Sequence, residues 1–268
     1  MVKYYKMLIL CILSWIFFDN SLVKAQNSLN FPKPVNLVFD VYNKNLHVIV
    51  IKASYVLISD NYFAKAHFNS AGVISLFLNL DMMSSVQGKI DNSNLLPNEY
   101  KSSGKSKGKK FVANIDFSHK QNVKIEKLDP AIEDNRDVVT ESQRNNSIDI
   151  LSAMLQLIQR VRANKNCNDQ FKIFDGSRIF TFQSKAAGTM PIPSSWTSPY
   201  KGEAIFCKAV AQQTAGLKRS RHRALSAQPQ PGYLWFKEID NIGMLPVRFE
   251  FNNPKMGNVI VILRQATK

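Results

Sequence analysis

Ile148-Asp149-Ile150-Leu151-Ser152-Ala153-Met154-Leu155-Gln156-Leu157-Ile158-Gln159-Arg160-Val161 is the stretch that breaks the pattern of the rest of the chain. Ile148, Leu151, Leu155, Ile158 and Val161 recur at three- and four-residue steps, so they share one face of a helix. Ile150, Ala153, Met154 and Leu157 widen that face, which predicts a well-buried helix near 147–163. No Gly or Pro interrupts it. Asn146 or Ser147 can cap its start, Asp149 suits the first turn, and Arg160 and Arg162 suit the last. Met154 reads as core packing rather than as a cofactor contact.

On both sides of this helix the period falls to two. In Val35-Asn36-Leu37-Val38-Phe39-Asp40-Val41 every second side chain is apolar, as in a half-buried strand. Further strands are expected at 46–58, 62–68, 73–80, 85–90, 111–117 and 123–128, then at 203–211, 234–239, 246–251 and 258–264. Residues 171–182 read as a hairpin turning at Asp175-Gly176, a pair that tolerates positive φ. Spacing near ten residues favours an antiparallel meander over βαβ units. Three stretches read as loops: the Lys-, Ser- and Gly-rich 101–110, the Pro-containing 184–199, and 217–232, which carries the basic run 218–223. The expectation is a mainly β, single domain over 26–268, with one helix.

The first 25 residues form an address. Lys3 and Lys6 precede a run, Met7–Phe18, that is apolar but for Ser14, and Val23-Lys24-Ala25 presents a peptidase site. A run of about a dozen apolar residues is too short to span a bilayer. The reading is a cleavable secretory signal, cut between Ala25 and Gln26, and no later apolar run is long enough for a transmembrane span in the mature chain. Cleavage removes Lys3, Lys6, Lys24 and Asp19, which takes two from the net charge of +15. It also removes Cys11. Two cysteines remain, and in an oxidising compartment Cys167 and Cys207 read as one disulfide. Neither has a CxxC partner or a neighbouring His that would make a reactive thiol.

Chemistry is sparse. His47, His67, His119 and His222 sit in no metal-ligand spacing, and no nucleophile elbow or phosphate loop occurs. Glu126, Asp129, Glu133, Asp134 and Asp137 lack the spacing of a calcium loop and read as a polar turn before the helix. Asp175 is explained by its turn. Asn145-Asn146-Ser147 is a glycosylation sequon of weak specificity that overlaps the helix start. The sequence therefore offers no catalytic, cofactor-binding or metal-binding residues, and the chain reads as a non-enzyme.

Several short motifs carry a family likeness: Asp149-Ile150-Leu151-Ser152 opening the helix, Cys167 leading to Phe174-Asp175-Gly176, Tyr200-x-Gly202-x-Ala204-x-x-Cys207, and Gly243-x-Leu245-Pro246-Val247-Arg248. In this order, across about residues 35–265, the chain resembles domain-of-unknown-function family 3108 of exported bacterial proteins. The resemblance implies a periplasmic protein and a curved antiparallel sheet, or half-open β-barrel, wrapped around a central helix. It implies no established activity and supplies no functional residues. The basic insert Lys218–Arg223 departs from it.

Two functions are open at this stage. The first is a periplasmic binding module that holds an apolar or lipid-like ligand in a cleft of the half-barrel. The second is a structural or assembly partner of the cell envelope, with the basic segments 101–110 and 218–223 against anionic surfaces. For an exported chain nucleic acid is not an expected partner.

Overall fold

The computed structural model describes residues 32–268, apart from 78, 131–134, 196, 221–222 and 254–256. The expected leader, with Cys11 and the Ala25–Gln26 cleavage point, lies outside the described residues, as do Glu133, Asp134 and His222.

Alternation along β1 (Val35–Asn43) buries Val35, Leu37 and Val41. From there the chain runs outward through β2 (Leu46–Ile58), β3 (Asn61–Ser70), β4 (Asp81–Asp91) and β5 (Asn94–Ser106). It continues through β6 (Lys109–Asp116) to β7 (Lys124–Asp129). A short helix α1 (Glu141–Arg144) and the long helix α2 (Ile150–Asn164) follow. The second half returns through β8 (Asp169–Phe174), β9 (Ile179–Pro191) and β10 (Glu203–Ala215), then a one-turn helix α3 (Arg223–Ala227). It ends with β11 (Gln230–Ile239), β12 (Gly243–Asn253) and β13 (Gly257–Thr267).

Among the described residues all thirteen strands form one antiparallel sheet in the order β7-β6-β5-β4-β3-β2-β1-β13-β12-β11-β10-β9-β8. Two meanders are thus joined where the first strand pairs with the last, from Asn36 opposite Thr267 to Asn43 opposite Val259. The edges of the sheet are β7 and β8, which do not pair with each other. Three hairpins of the first half turn on residue pairs with positive φ: Lys44-Asn45, Asn92-Ser93 and Lys107-Gly108. Such pairs match the twist of the flanking strands, and Gly108 is the one glycine among them.

The long helix lies where its period predicts, starting three residues later than expected. Asp149, not Asn146 or Ser147, is the cap: its carboxylate accepts from the backbone N–H groups of Leu151 (2.9 Å) and Ser152 (3.0 Å). Ile148 is drawn out of the helix by a two-residue bridge to β8, with Ile148 N donating to Lys172 O and Phe174 N to Ile148 O. Along α2, Ala153, Leu155, Leu157, Ile158 and Val161 are buried. The helix packs on β3, β4 and β5 of the first meander and on β8 and β12 of the second. Among the described residues no helix is long and apolar enough to cross a membrane.

Three expectations are corrected. Segment 101–110 is not a loop but the end of β5, a turn, and the start of β6. Its inward positions carry hydroxyls in place of apolar groups: Ser102 is buried and meets Ser84 Oγ at 2.9 Å, while Lys101 and Lys105 face water. The first part of 184–199 continues β9 to Pro191, an exposed ribbon paired with β10, because after Ser184 it has no buried side chain to betray it. Residues 73–77, within the expected strand 73–80, are no strand. Gly72, at φ +59°, turns the chain into a 3-10 turn over Gly72–Leu76, and a side chain there would meet His47 O at 2.6 Å. The strand at 94–106, missing from the expectations, takes that segment's place in the count.

Cys167 and Cys207 form a disulfide between the segment after α2 and β10, with Cα atoms 6.3 Å apart and both residues fully buried. It closes a sequence separation of 40 residues. Paired Cys→Ser replacement is expected to cost about 4 kcal/mol of unfolding free energy on the chain-entropy account. Denaturant titration of oxidised protein against the double variant measures it.

Candidate ligand cleft

Because β7 and β8 stay unpaired, a gap remains between the two ends of the sheet, and α2 lies beside it. A cleft of about 900 Å³ opens there, lined by β5, β6, α2 and β8. Its apolar floor is made by Leu95 and Pro97 of β5, Ile115 of β6 and Phe171 of β8. Its rim is polar: Asn94, Asn98, Asn114, Asn146 and Gln170 supply amides, and Lys89, Lys120, Glu99, Asp116, Glu126 and Asp169 supply both charges.

Gln156 is the hinge between helix and cleft wall. Its Oε1 accepts from Leu95 N at 2.5 Å and its Nε2 donates to Ser93 O at 2.9 Å. One buried amide therefore satisfies two backbone groups at the start of β5 and fixes that wall against α2. One turn further along, Arg160 Nε lies 3.3 Å from Asp169 Oδ2 and ties the helix to β8 across the cleft. Asp116 accepts from Ser118 N (2.8 Å) and Ser118 Oγ (2.5 Å), which holds its carboxyl below the usual carboxylate range.

A second polar cluster lies inside the core. Asp149 accepts from Ser152 Oγ as well as from the two backbone groups, and Ser152 Oγ meets Tyr62 Oη at 2.6 Å. Burial raises the Asp149 carboxyl to about 6 against the lowering effect of those hydrogen bonds, and raises the Tyr62 hydroxyl as well. The site is enclosed and its groups satisfy one another, so it joins helix to sheet and offers no path to a substrate. Ser152 and Gln156 are four residues apart, on the buried face of the helix. Two polar residues at that spacing within an apolar stripe are the sequence signal for these anchors, and the apolar period drew attention away from them.

The other candidate groups are dispersed. His67 Nε2 lies 2.8 Å from Asp81 Oδ1, and His47 Nε2 lies 3.3 Å from Asp40 Oδ1, but neither pair lines the cleft. The described members of the acidic cluster do not converge. Glu126 lines the cleft, Asp129 ends β7, and Asp137 binds Arg219 at 3.1 Å and Arg223 at 2.5 Å. Those two arginines hold the Asp137 carboxyl below its usual range, which gives part of the basic insert a structural partner. Asp175 accepts from Ser177 N (3.0 Å) and Arg178 N (2.8 Å), as its turn requires. Of the sequon, Asn145 Oδ1 accepts from Val123 N at 3.3 Å and Ser147 is buried. No group of three or more metal-ligating side chains occurs among the described residues.

A family model described as "Protein of unknown function (DUF3108)" matches residues 39–263. No curated protein matches. Among solved structures, a β-barrel-like protein of the domain of unknown function DUF1849 from Brucella abortus is similar at 11% identity, with a TM-score of 0.49. That likeness covers 87% of this chain and 97% of the other. A candidate lipoprotein from Parabacteroides distasonis ATCC 8503 is similar at 10% identity, with a TM-score of 0.36, over 88% of this chain and 95% of the other. Neither likeness bears on function.

The buried cap has a pH signature. A carboxyl raised to about 6 in the folded state, from about 4 for a free aspartate, contributes stability that is present below pH 4 and lost as pH rises through 6. The difference is on the order of 3 kcal/mol. Asp149→Asn keeps the capping acceptor and removes the titration. Subtracting its unfolding free energy from that of the parent between pH 4 and pH 8 is expected to leave a curve that falls and then levels above 6. A flat difference would show that the carboxyl titrates as if exposed.

Proposed function

The chain belongs to the DUF3108 family of proteins of unknown function, and from that premise we propose a non-enzymatic, exported binding protein of the bacterial envelope. In this reading the sheet is a half-open barrel wrapped around α2, and the open seam between β7 and β8 is where a ligand enters. The observation that carries it is the cleft itself, with an apolar floor under a rim of amides and of charges of both signs. An amphiphile with an acyl portion and a polar head matches that layering better than a wholly apolar molecule does. The packing of α2 against both meanders supports this refinement, because the sheet interior is occupied and the seam is the open space. No cofactor and no nucleic acid enter this reading.

Export rests on the leader-like first 25 residues, and the buried disulfide is compatible with an oxidising compartment. A second reading, contact with anionic envelope surfaces, draws support from the lysines of the β5–β6 hairpin, Lys105, Lys107, Lys109 and Lys110, all exposed. The run 218–223 supports it less, since Asp137 engages Arg219 and Arg223.

Protein recovered from a bacterial periplasm is expected to begin at Gln26 by intact mass. Native mass spectrometry of that protein is expected to retain an amphiphile, and a fluorescent fatty-acid probe to bind it. Leu96→Trp, which adds bulk at a residue lining the cleft beside Pro97, is expected to weaken probe binding at least tenfold with the fold intact. If nothing co-purifies and the probe does not bind the parent, the cleft is not a ligand site.

A further inference from the structure

The sequence 73–77 reads as part of a strand, and the structure makes it something else. The 3-10 turn Gly72–Leu76 projects from the β3–β4 connection with Val73 65%, Leu76 81% and Phe77 82% exposed. Elsewhere among the described residues the exposed large apolar side chains are spread singly over the surface, which is ordinary for a folded protein. Here three fall within five residues, and the turn is built to hold them out. Gly72 has the positive φ that starts it, Ser75 Oγ donates to Gly72 O at 2.7 Å, and Ala71 N donates to Val48 O at 2.9 Å, fastening it beside β2. Leu46, at the start of β2, adds a fourth half-exposed apolar side chain at the same end of the sheet.

The register places cations on both sides of this tip. The β1–β2 turn carries Lys44, two residues before the start of β2. On the other side Asp81, the first residue of β4, lies opposite Lys105 of β5, and Lys105 lies opposite Lys110 of β6. Strands are about 4.8 Å apart, so Lys105, Lys107, Lys109 and Lys110 lie within two strands of the loop that holds Phe77. All four, and Lys44, are exposed. Asp81, the carboxylate at this position, is engaged by His67 at 2.8 Å and held below its usual range by that contact.

We infer that this rim is a membrane-docking surface: Val73, Leu76 and Phe77 enter the acyl boundary of an anionic phospholipid bilayer while the flanking lysines contact its headgroups. An apolar tip ringed by lysines has both parts that peripheral attachment needs, since apolar area and headgroup attraction add. A protein partner would be expected to meet the tip with a matching apolar surface and would leave the lysine ring without a role. The electrostatic half of this inference rests on the second reading above, and the apolar half is independent of it. The docking rim is also distinct from the cleft. Along β5, Lys105 is six residues beyond the cleft-lining Glu99, about 20 Å at the rise of a strand.

Flotation with vesicles tests it, using phosphatidylglycerol–phosphatidylcholine mixtures against phosphatidylcholine alone. The mature parent is expected to float with the anionic vesicles, and to lose binding as salt rises. Phe77→Asp is expected to lower the partition coefficient at least tenfold at constant salt. The fourfold Lys105, Lys107, Lys109, Lys110→Gln variant is expected to lower it at least tenfold at low salt only. Phe77 is on the surface, so an unchanged thermal midpoint is expected and guards against a folding artefact. If the lysine variant loses binding and F77D does not, the basic-surface reading stands and the insertion inference fails. No binding by the parent overturns both. A parent dimer in sedimentation that F77D dissolves assigns the tip to a second copy of the chain and overturns the membrane.

Discussion

Everything in this molecule depends on one helix satisfying strands from two separate meanders at once. The apolar stripe of α2 buries Leu155, Leu157, Ile158 and Val161 in a single core that includes Tyr62, Val86 and Leu95 of the first meander and Phe174, Phe236 and Leu245 of the second. Burial at this scale is the main favourable contribution to the fold, but it is not directional. Direction comes from four polar side chains on the same helix or its cap. Asp149 and Ser152 reach Tyr62 of β3, and Gln156 reaches the start of β5. At the far end Arg162 donates to Met244 O (3.1 Å), Ile242 O (3.1 Å) and Tyr55 Oη (2.6 Å). Each is partnered, so none leaves a buried polar group unmet, and together they fix the rotation and height of the helix against the sheet.

The same view explains the residues that carry the family likeness. Asp149 is the cap, Asp175 and Gly176 make a turn, and Cys167 and Cys207 are bridged. Leu245 and Val247 are fully buried, and Arg248 binds Glu250 at 2.6 Å. These are architectural tasks. A likeness built on them predicts the fold and is silent about activity.

The fold was legible wherever burial alternated or recurred along the chain. β2 runs over 46–58, as read, and α2 keeps its period. Legibility failed where burial left no apolar mark. The end of β5 faces the interior with Ser102, the outer part of β9 faces water on both sides, and Ile148 belongs to a bridge made by tertiary contact. It failed in the opposite sense at 73–80, where apolar residues mark exposure instead of burial. The disulfide was legible from arithmetic on cysteines. The cleft was not, because it is made by the absence of pairing between β7 and β8, strands that lie some 40 residues apart in the chain with α2 between them.

The β1–β13 ladder has a consequence for the order in which the sheet can be made. The strand written first is hydrogen-bonded to the strand written last, so the pairing at the middle of the sheet has the largest sequence separation of any in the molecule. Closing it carries the greatest loop entropy, and contacts of this range slow folding. Until β13 has been synthesised, β1 presents an open edge with Leu37 and Val41 beside it, a state prone to pairing with other chains. The first meander can assemble by local hairpins, but the sheet becomes continuous only when the whole chain is present. A nascent chain of this kind gains by remaining unfolded, or shielded, until its final strand is available.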